Sequence, residues 1–206
     1  MRKIQKADEP VSFARYKQDN PAHQYKDLND EIVRQDIRQK CTEEQYYLCA
    51  YCCKAISGTN VDTMNEHIQP RHHYPNLSMD FNNIVASCNQ TGHCDNSKDS
   101  KILPLTPLMD ECETEFEFRI NGAVSGKTER ARSAIDILQL NHKKLCESRK
   151  QAINSMLINH GLGNPIEVED DELLQSVCDD IMQPENGKLI AFTPAIVNAI
   201  KNWTNS

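Results

Sequence analysis

The chain has 206 residues, 38% hydrophobic and 6% aromatic, with a formal net charge of −7. That length admits one compact domain or a small domain with additions, and the acid excess argues against an autonomous nucleic-acid binder, whose footprint is normally basic. No run approaches the roughly 20 apolar residues needed to span a bilayer, and the opening MRKIQKADEP is charged with no apolar stretch behind it, so a cytoplasmic protein with no membrane association is expected.

Residues 1–25 are polar and read as irregular or as one short helix. Leu28, Ile32, Val33 and Ile37 fall at helical spacing and predict a helix over 27–40. Thr42-Glu43-Glu44 reads as the opening of a second short helix leading to Cys49. From 49 to 101 the texture changes to Cys, His, Asn and Asp with short β-prone pieces, AYCCKAI and NNIVAS, the signature of a small metal-organised module. Phe116–Ile120 alternates apolar and polar and is followed by Asn121-Gly122, a hairpin signal. One long helical pattern spans Thr128 to Leu157, with Gly161 and Gly163 as its stop. Shorter helices are predicted over Glu172–Met182 and after Thr193-Pro194. The fold class expected is α+β: a small ββα metal module set among α-helices. Its divisions are a helical region 1–48, a core 49–101, and a hairpin-plus-helix region 102–206 suited to docking a partner.

Nine cysteines, an odd number with no export signal, favour metal ligation over disulfides. Cys49-Ala50-Tyr51-Cys52 is a CxxC knuckle, whose turn points two thiolates at one tetrahedral ion. Cys88 and Cys94 supply the second pair in a C-x2-C-x35-C-x5-C frame, with His93 or Cys53 as substitute ligands. Four protein ligands close the coordination shell, so this zinc would be structural. Cys41, Cys53, Cys112, Cys146 and Cys178 read as small apolar residues or spectators. The frame clamps both ends of a loop that contains Glu66-His67. Histidine, with an unperturbed pKa near ~6.5, accepts a proton at neutral pH, and a hard divalent ion takes oxygen ligands such as Glu66.

Inside the frame stand Glu66-His67-Ile68-Gln69-Pro70, then Asn82-Asn83-Ile84-Val85-Ala86-Ser87-Cys88, then Cys94-Asp95-Asn96-Ser97-Lys98. In these pieces the sequence resembles the HNH endonucleases, the ββα-metal nucleases that cut phosphodiester bonds. A looser likeness, in MRKIQKADEP, Gln45–Cys52 and LSMDFNNIVASC, is to the HNH components of Septu antiphage systems, also found with some retrons. The resemblance implies His67 as general base, Asn83 as the residue that orients it and steadies the loop, and a magnesium or manganese ion held by Glu66 with Asp95 or Asn96. The family pattern Cys-Asn-x-x-Lys selects Asp95 by position and Asn96 by residue type. Many relatives carry Asp where Glu66 stands.

Arg71, His72 and His73 read as phosphate contacts or as a solvated loop, and Lys98 and Lys101 as neighbours of the scissile phosphate. The basic residues of the long pattern, Lys127, Arg130, Arg132, Lys143, Lys144, Arg149 and Lys150, form a solvated face, a docking face or a nucleic-acid face. His142 and His160 read as helix-surface residues. Aromatic residues are too scattered for a stacking platform, and no Walker pattern is present. The resemblance places ATP hydrolysis in a separate partner, an ATPase resembling PtuA, in a hetero-oligomeric complex. The substrate expected is DNA more than RNA. The alternatives are cleavage of RNA such as tRNA in a retron-type system, and a catalytically inactive zinc-organised binding module.

Overall fold

The computed structural model describes residues 1–160 and 171–204; Gly161 and Gly163, read as a helix stop, lie outside the described residues. The N-terminal segment carries one helix, α1 (Val11–Asp19), and α2 follows at Glu31–Glu44. α2 begins where the Asp30 carboxylate accepts from the N–H groups of Ile32 and Val33, a side-chain cap on otherwise orphaned donors. It runs on through Thr42-Glu43-Glu44, so no second helix opens there. The Thr42 hydroxyl donates to Arg38 O one turn back and stays inside the helix. The chain leaves α2 through Tyr46 and Tyr47, both left-handed at φ 53° and 61°.

AYCCKAI forms no strand. Cys49 N donates to Lys54 O and Cys53 N to Cys49 O, closing a tight turn, which a knuckle needs if two sulfurs are to point the same way. The first sheet pairs β1 (Thr63–His67) with β2 (Ile84–Cys88), antiparallel from Thr63↔Cys88 to His67↔Ile84. The short helix α3 (Asp95–Lys98) follows, giving a strand–strand–helix order within 63–98. β2 is buried at every residue, yet the sheet has only two strands. Side chains stand in for the missing neighbour: Gln45 Nε2 donates to Ala86 O, and Gln45 Oε1 accepts from Ala86 N, both at 2.8 Å. A buried strand edge has no water to bond to and needs such partners.

The second sheet is the expected hairpin, β3 (Phe116–Phe118) and β4 (Val124–Gly126). Gly122 turns it at φ 82°, and a Cβ there would lie 2.0 Å from the carbonyl oxygen of Cys146, so only glycine fits. The same amide device closes this sheet on both sides. Asn141 accepts from Val124 N and donates to Val124 O, both at 2.9 Å. Asn198 accepts from Phe118 N at 2.7 Å.

The long pattern from Thr128 is two helices, α4 (Glu129–Leu138) and α5 (Lys143–Asn159). The break falls where Gln139 turns left-handed at φ 50° and Asn141 is drawn to β4. Arg149 fixes the junction. It is 0% exposed, and its guanidinium donates to Gly122 O and Leu140 O, tying hairpin, break and α5 together. Arg149→Leu should therefore lower unfolding free energy by about 3 kcal/mol or more through two stranded buried carbonyls, read as a shift in denaturant midpoint. A midpoint within error of wild type would show that the junction holds without it.

α6 (Asp171–Ile181) and α7 (Thr193–Thr204) complete the chain. One buried cluster takes Phe13, Ile37, Ile84, Leu105, Phe116, Leu138 and Ile196 from all parts of the described chain. Among the described residues no helix is long and apolar enough to cross a membrane.

Candidate active site and metal centre

Cys49, Cys52, Cys88 and Cys94 converge: each is at most 3% exposed, and their sulfurs all lie within 4.8 Å of one another. Cys49–Cys94 and Cys52–Cys88 are each 3.9 Å apart. Four sulfurs at about 2.3 Å from a tetrahedral zinc stand about 3.8 Å from each other, so the cluster fits that ion. The backbone N–H of Cys88 donates to Cys49 Sγ at 3.3 Å, the kind of outer bond that stabilises thiolate charge. Hydrogen bonds from the other three thiols hold the Cys88 thiol well below its usual range. Burial and its sulfur neighbours keep Cys94 well above it.

Neither substitute ligand belongs to this set of four. Cys53 turns away at φ 62° and packs with Leu48 and Leu189. His93 places Nδ1 3.2 Å from Cys94 Sγ, against the cluster's side. Cys41, Cys112 and Cys178 are buried and Cys146 half-buried. Burial pushes Cys41 and Cys112 to about 12, which makes both inert as nucleophiles.

Glu66 and His67 close β1 and line one polar cleft of about 700 Å³ with Arg71, His72, Ser78, Asp95 and Asn96. Adjacent strand residues normally face opposite sides, but here the strand ends at His67 and both side chains reach the cleft. His67 is 4% exposed, and its Nε2 lies 2.9 Å from Ser78 O. A carbonyl only accepts, so Nε2 carries the hydrogen and Nδ1 keeps its lone pair. Burial, with Arg71 and Lys98 adding to it, pushes His67 down to about 4. The ring is therefore neutral at physiological pH. Tyr25 braces it edge-on, centroids 4.7 Å apart.

Glu66 is 7% exposed and accepts from Tyr51 Oη at 3.1 Å and from the Lys98 ammonium at 2.8 Å, both at Oε1. Burial and the hydrogen-bonded Asp95 carboxyl raise it to about 8, with Lys98 opposing. A cation between these two carboxyls would offset their mutual repulsion. Asp95 opens α3 and reaches Glu66; Asn96, beside it, has its Oδ1 taken by Gly92 N at 2.8 Å.

Asn83 is buried and bonds the loop below the cleft. It accepts from Gln69 N at 2.7 Å and donates to Gln69 O and Leu77 O. Among the described residues its side-chain hydrogen bonds go to the loop backbone and none to the His67 ring. Lys98, read as a phosphate neighbour, is 0% exposed; its ammonium also donates to His67 O at 2.8 Å, so it joins the backbone of one candidate residue to the carboxylate of the next. Lys101 is exposed and donates to Ser97 O.

Sequence reasoning missed Tyr51, whose hydroxyl reaches Glu66 from within the zinc knuckle, and the Ser78 carbonyl that sets the His67 tautomer. Spacing carries no signal for either; a tyrosine between two ligand cysteines is a polar tip on an apolar body, and that was the available hint.

No protein-family model matches the chain. The Septu protein PtuB of Bacillus thuringiensis is 28% identical to it over 94 residues, 45% of this chain. The chain is similar to a Septu protein. The similarity is distant, and the matched stretch covers 36% of that relative's length.

Proposed function

We propose that this chain is a divalent-ion-dependent HNH-type endonuclease, the effector of an antiphage system of the Septu kind, acting on DNA more than RNA and working with an ATPase subunit resembling PtuA. The observation that carries this reading is a neutral His67 with a free Nδ1 beside the paired carboxyls of Glu66 and Asp95, in one cleft over a four-cysteine cluster. Phosphodiester hydrolysis needs a base for the attacking water, and His67 Nδ1 is that base. Ser78 O holds the ring so that the proton is received at Nδ1. Glu66 and Asp95 would hold magnesium or manganese through carboxylate oxygens, and the ion would supply neutralisation of charge at the phosphate and the leaving oxygen. Tyr51 and Lys98 hold the Glu66 carboxylate in place, and Asn83 holds the loop from 69 to 77 that carries Arg71 and His72 to the cleft's rim. The distant likeness to PtuB supports the defence role, and the acidic composition supports reliance on a partner for substrate capture.

A second reading, a zinc-organised binding module without activity, draws on one observation: Glu66 already has two protein partners, Lys98 and Tyr51. One experiment separates the two. The purified chain, alone and with its ATPase partner, is incubated with plasmid, linear DNA and tRNA in magnesium, in manganese and in neither. Cutting that requires the ion supports the nuclease, and the nucleic acid cut names the substrate. Intact substrates in every arm, partner included, would establish the binding module.

A further inference from the structure

The cutting cleft is not built by the 49–101 core alone. Gln24 and Lys26, from the N-terminal region, line it together with Arg71 and His72. Tyr25, between them in sequence, is buried. A single tight turn, Tyr25–Asp27, fixes this segment: Gln24 N donates to the Asp27 carboxylate at 3.0 Å, and the Tyr16 hydroxyl donates to Asp27 O at 3.2 Å. The Tyr25 hydroxyl accepts from Asn65 Nδ2 at 2.9 Å, and the same amide donates to Arg34 O, so Tyr25 is tied to β1 and α2 at once. Three groups meet its ring. His67 stands edge-on with the two planes at 79°. The guanidinium carbons of Arg71 and Arg34 lie over the ring, 5.4 Å and 5.8 Å from its centroid. Arg34 is committed elsewhere, since its Nε donates to Leu28 O at 2.6 Å. Arg71 is exposed, lines the cleft, and has no carboxylate within ion-pair distance among the described residues.

We infer that Tyr25 is a positioning residue from outside the cysteine frame, a platform that seats the His67 ring and the Arg71 guanidinium together, and that Arg71 grips a backbone phosphate of the strand in the cleft. An arginine resting on an aromatic face keeps its N–H fork free, and that fork matches the oxygens of a phosphate. The charges that line the cleft fit such a guest. Its acids, Glu66, Asp95 and Asp99, come from β1 and the two ends of α3, whereas its cations come from the 24–26 segment and the loop that carries Arg71. A phosphodiester bound to an ion through one oxygen still needs donors for the others. Arg71 is close enough to His67 for its charge to act on that ring, so a phosphate held by Arg71 lies within reach of the base. One rigid ring shared by both groups fixes their separation, which two independent surface side chains would not do. The inference rests on the nuclease reading for the identity of the strand and deepens that same site, but its first test reads binding alone.

The experiment is a double-mutant cycle read by fluorescence anisotropy, with labelled DNA and RNA single strands, on the full-length chain in buffer free of magnesium and manganese. Arg71→Gln should weaken binding about tenfold, the scale of one charged hydrogen-bonding contact. Arg15→Gln, an equal charge change at an exposed position of α1, should weaken it less than about twofold. In the Tyr25→Leu background the further loss from Arg71→Gln should shrink to about twofold, and in the Tyr25→Phe background, which keeps the ring, it should stay near tenfold, as the ring face alone seats the cation. With the ion restored, Tyr25→Leu should lower kcat by about 10–100-fold, the effect of a misplaced base, and Tyr25→Phe should leave it near wild type. Circular dichroism and zinc content verify the fold, and Tyr25→Met serves if Tyr25→Leu unfolds. The same loss from Arg71→Gln in every background would overturn the inference, since a ring that only fills space gives no coupling. So would a loss no larger than that of Arg15→Gln, or binding to neither strand. An unchanged kcat in Tyr25→Leu would overturn its His67 half. Intact substrates in every arm of the cleavage assay would sink the nuclease and leave the binding cycle to decide the platform.

Discussion

Replacing Cys94 by serine should yield a chain that binds no zinc and shows no cooperative melt. The expectation follows from the position of the cluster. Cys49 and Cys52 lie on the turn after α2, Cys88 ends β2, and Cys94 precedes α3, so one ion bound there would join the three pieces that frame the cleft. Structural zinc contributes an apparent ~10–16 kcal/mol in small modules, against about 5–15 kcal/mol for the net stability of a whole domain. A two-stranded sheet cannot replace that contribution by itself. Elemental analysis of the wild type should find one zinc per chain, and a strong chelator should reproduce the Cys94→Ser melt. A variant without metal that melts within a few degrees of wild type would mean that the apolar cluster suffices and the thiols are ordinary core residues.

The second large effect is on turnover. His67→Asn should lower the cutting rate by about 10²–10⁴-fold, the range over which a positioned base contributes, while zinc content and melting stay near wild type. Asparagine is the better probe than alanine. His67 is buried against Tyr25 and bonded to Ser78 O, so alanine would add a cavity and an orphaned carbonyl, at about 2–4 kcal/mol. Rates of the two variants that fall together while only alanine melts early would separate chemistry from folding. A His67→Asn protein that cuts at the normal rate would remove the histidine from the reaction.

Much of the framework was legible because it rests on local chemistry. The CxxC knuckle, the Asn121-Gly122 turn and the helical spacing of Ile32–Ile37 each announce an element through residues close in sequence. The failures share one cause. Gln139, Tyr46 and Tyr47 take left-handed conformations without glycine, and Tyr46 and Tyr47 do so beside partners far along the chain, Leu189 and Lys188. The break between α4 and α5 exists because Asn141 completes β4 and Arg149 binds the carbonyls of Gly122 and Leu140, pairings that span 17, 27 and 9 residues. Thr63–His67 has little β-propensity and becomes a strand because β2 is waiting, already paired on its far side by Gln45. In the cleft, Glu66 and His67 were readable as neighbours. Lys98 was read as a substrate contact and is instead a buried counter-ion, because its depth depends on the α3 turn following Cys94.

The tyrosine between the two knuckle thiols touches both halves of the molecule's work. Its backbone belongs to the turn that carries two of the four clustered thiols, and its hydroxyl donates to the Glu66 carboxylate. A stiff ring transmits displacement instead of absorbing it. If the chain cuts as proposed, oxidation of the sulfurs should end cutting outright, without a sluggish intermediate form.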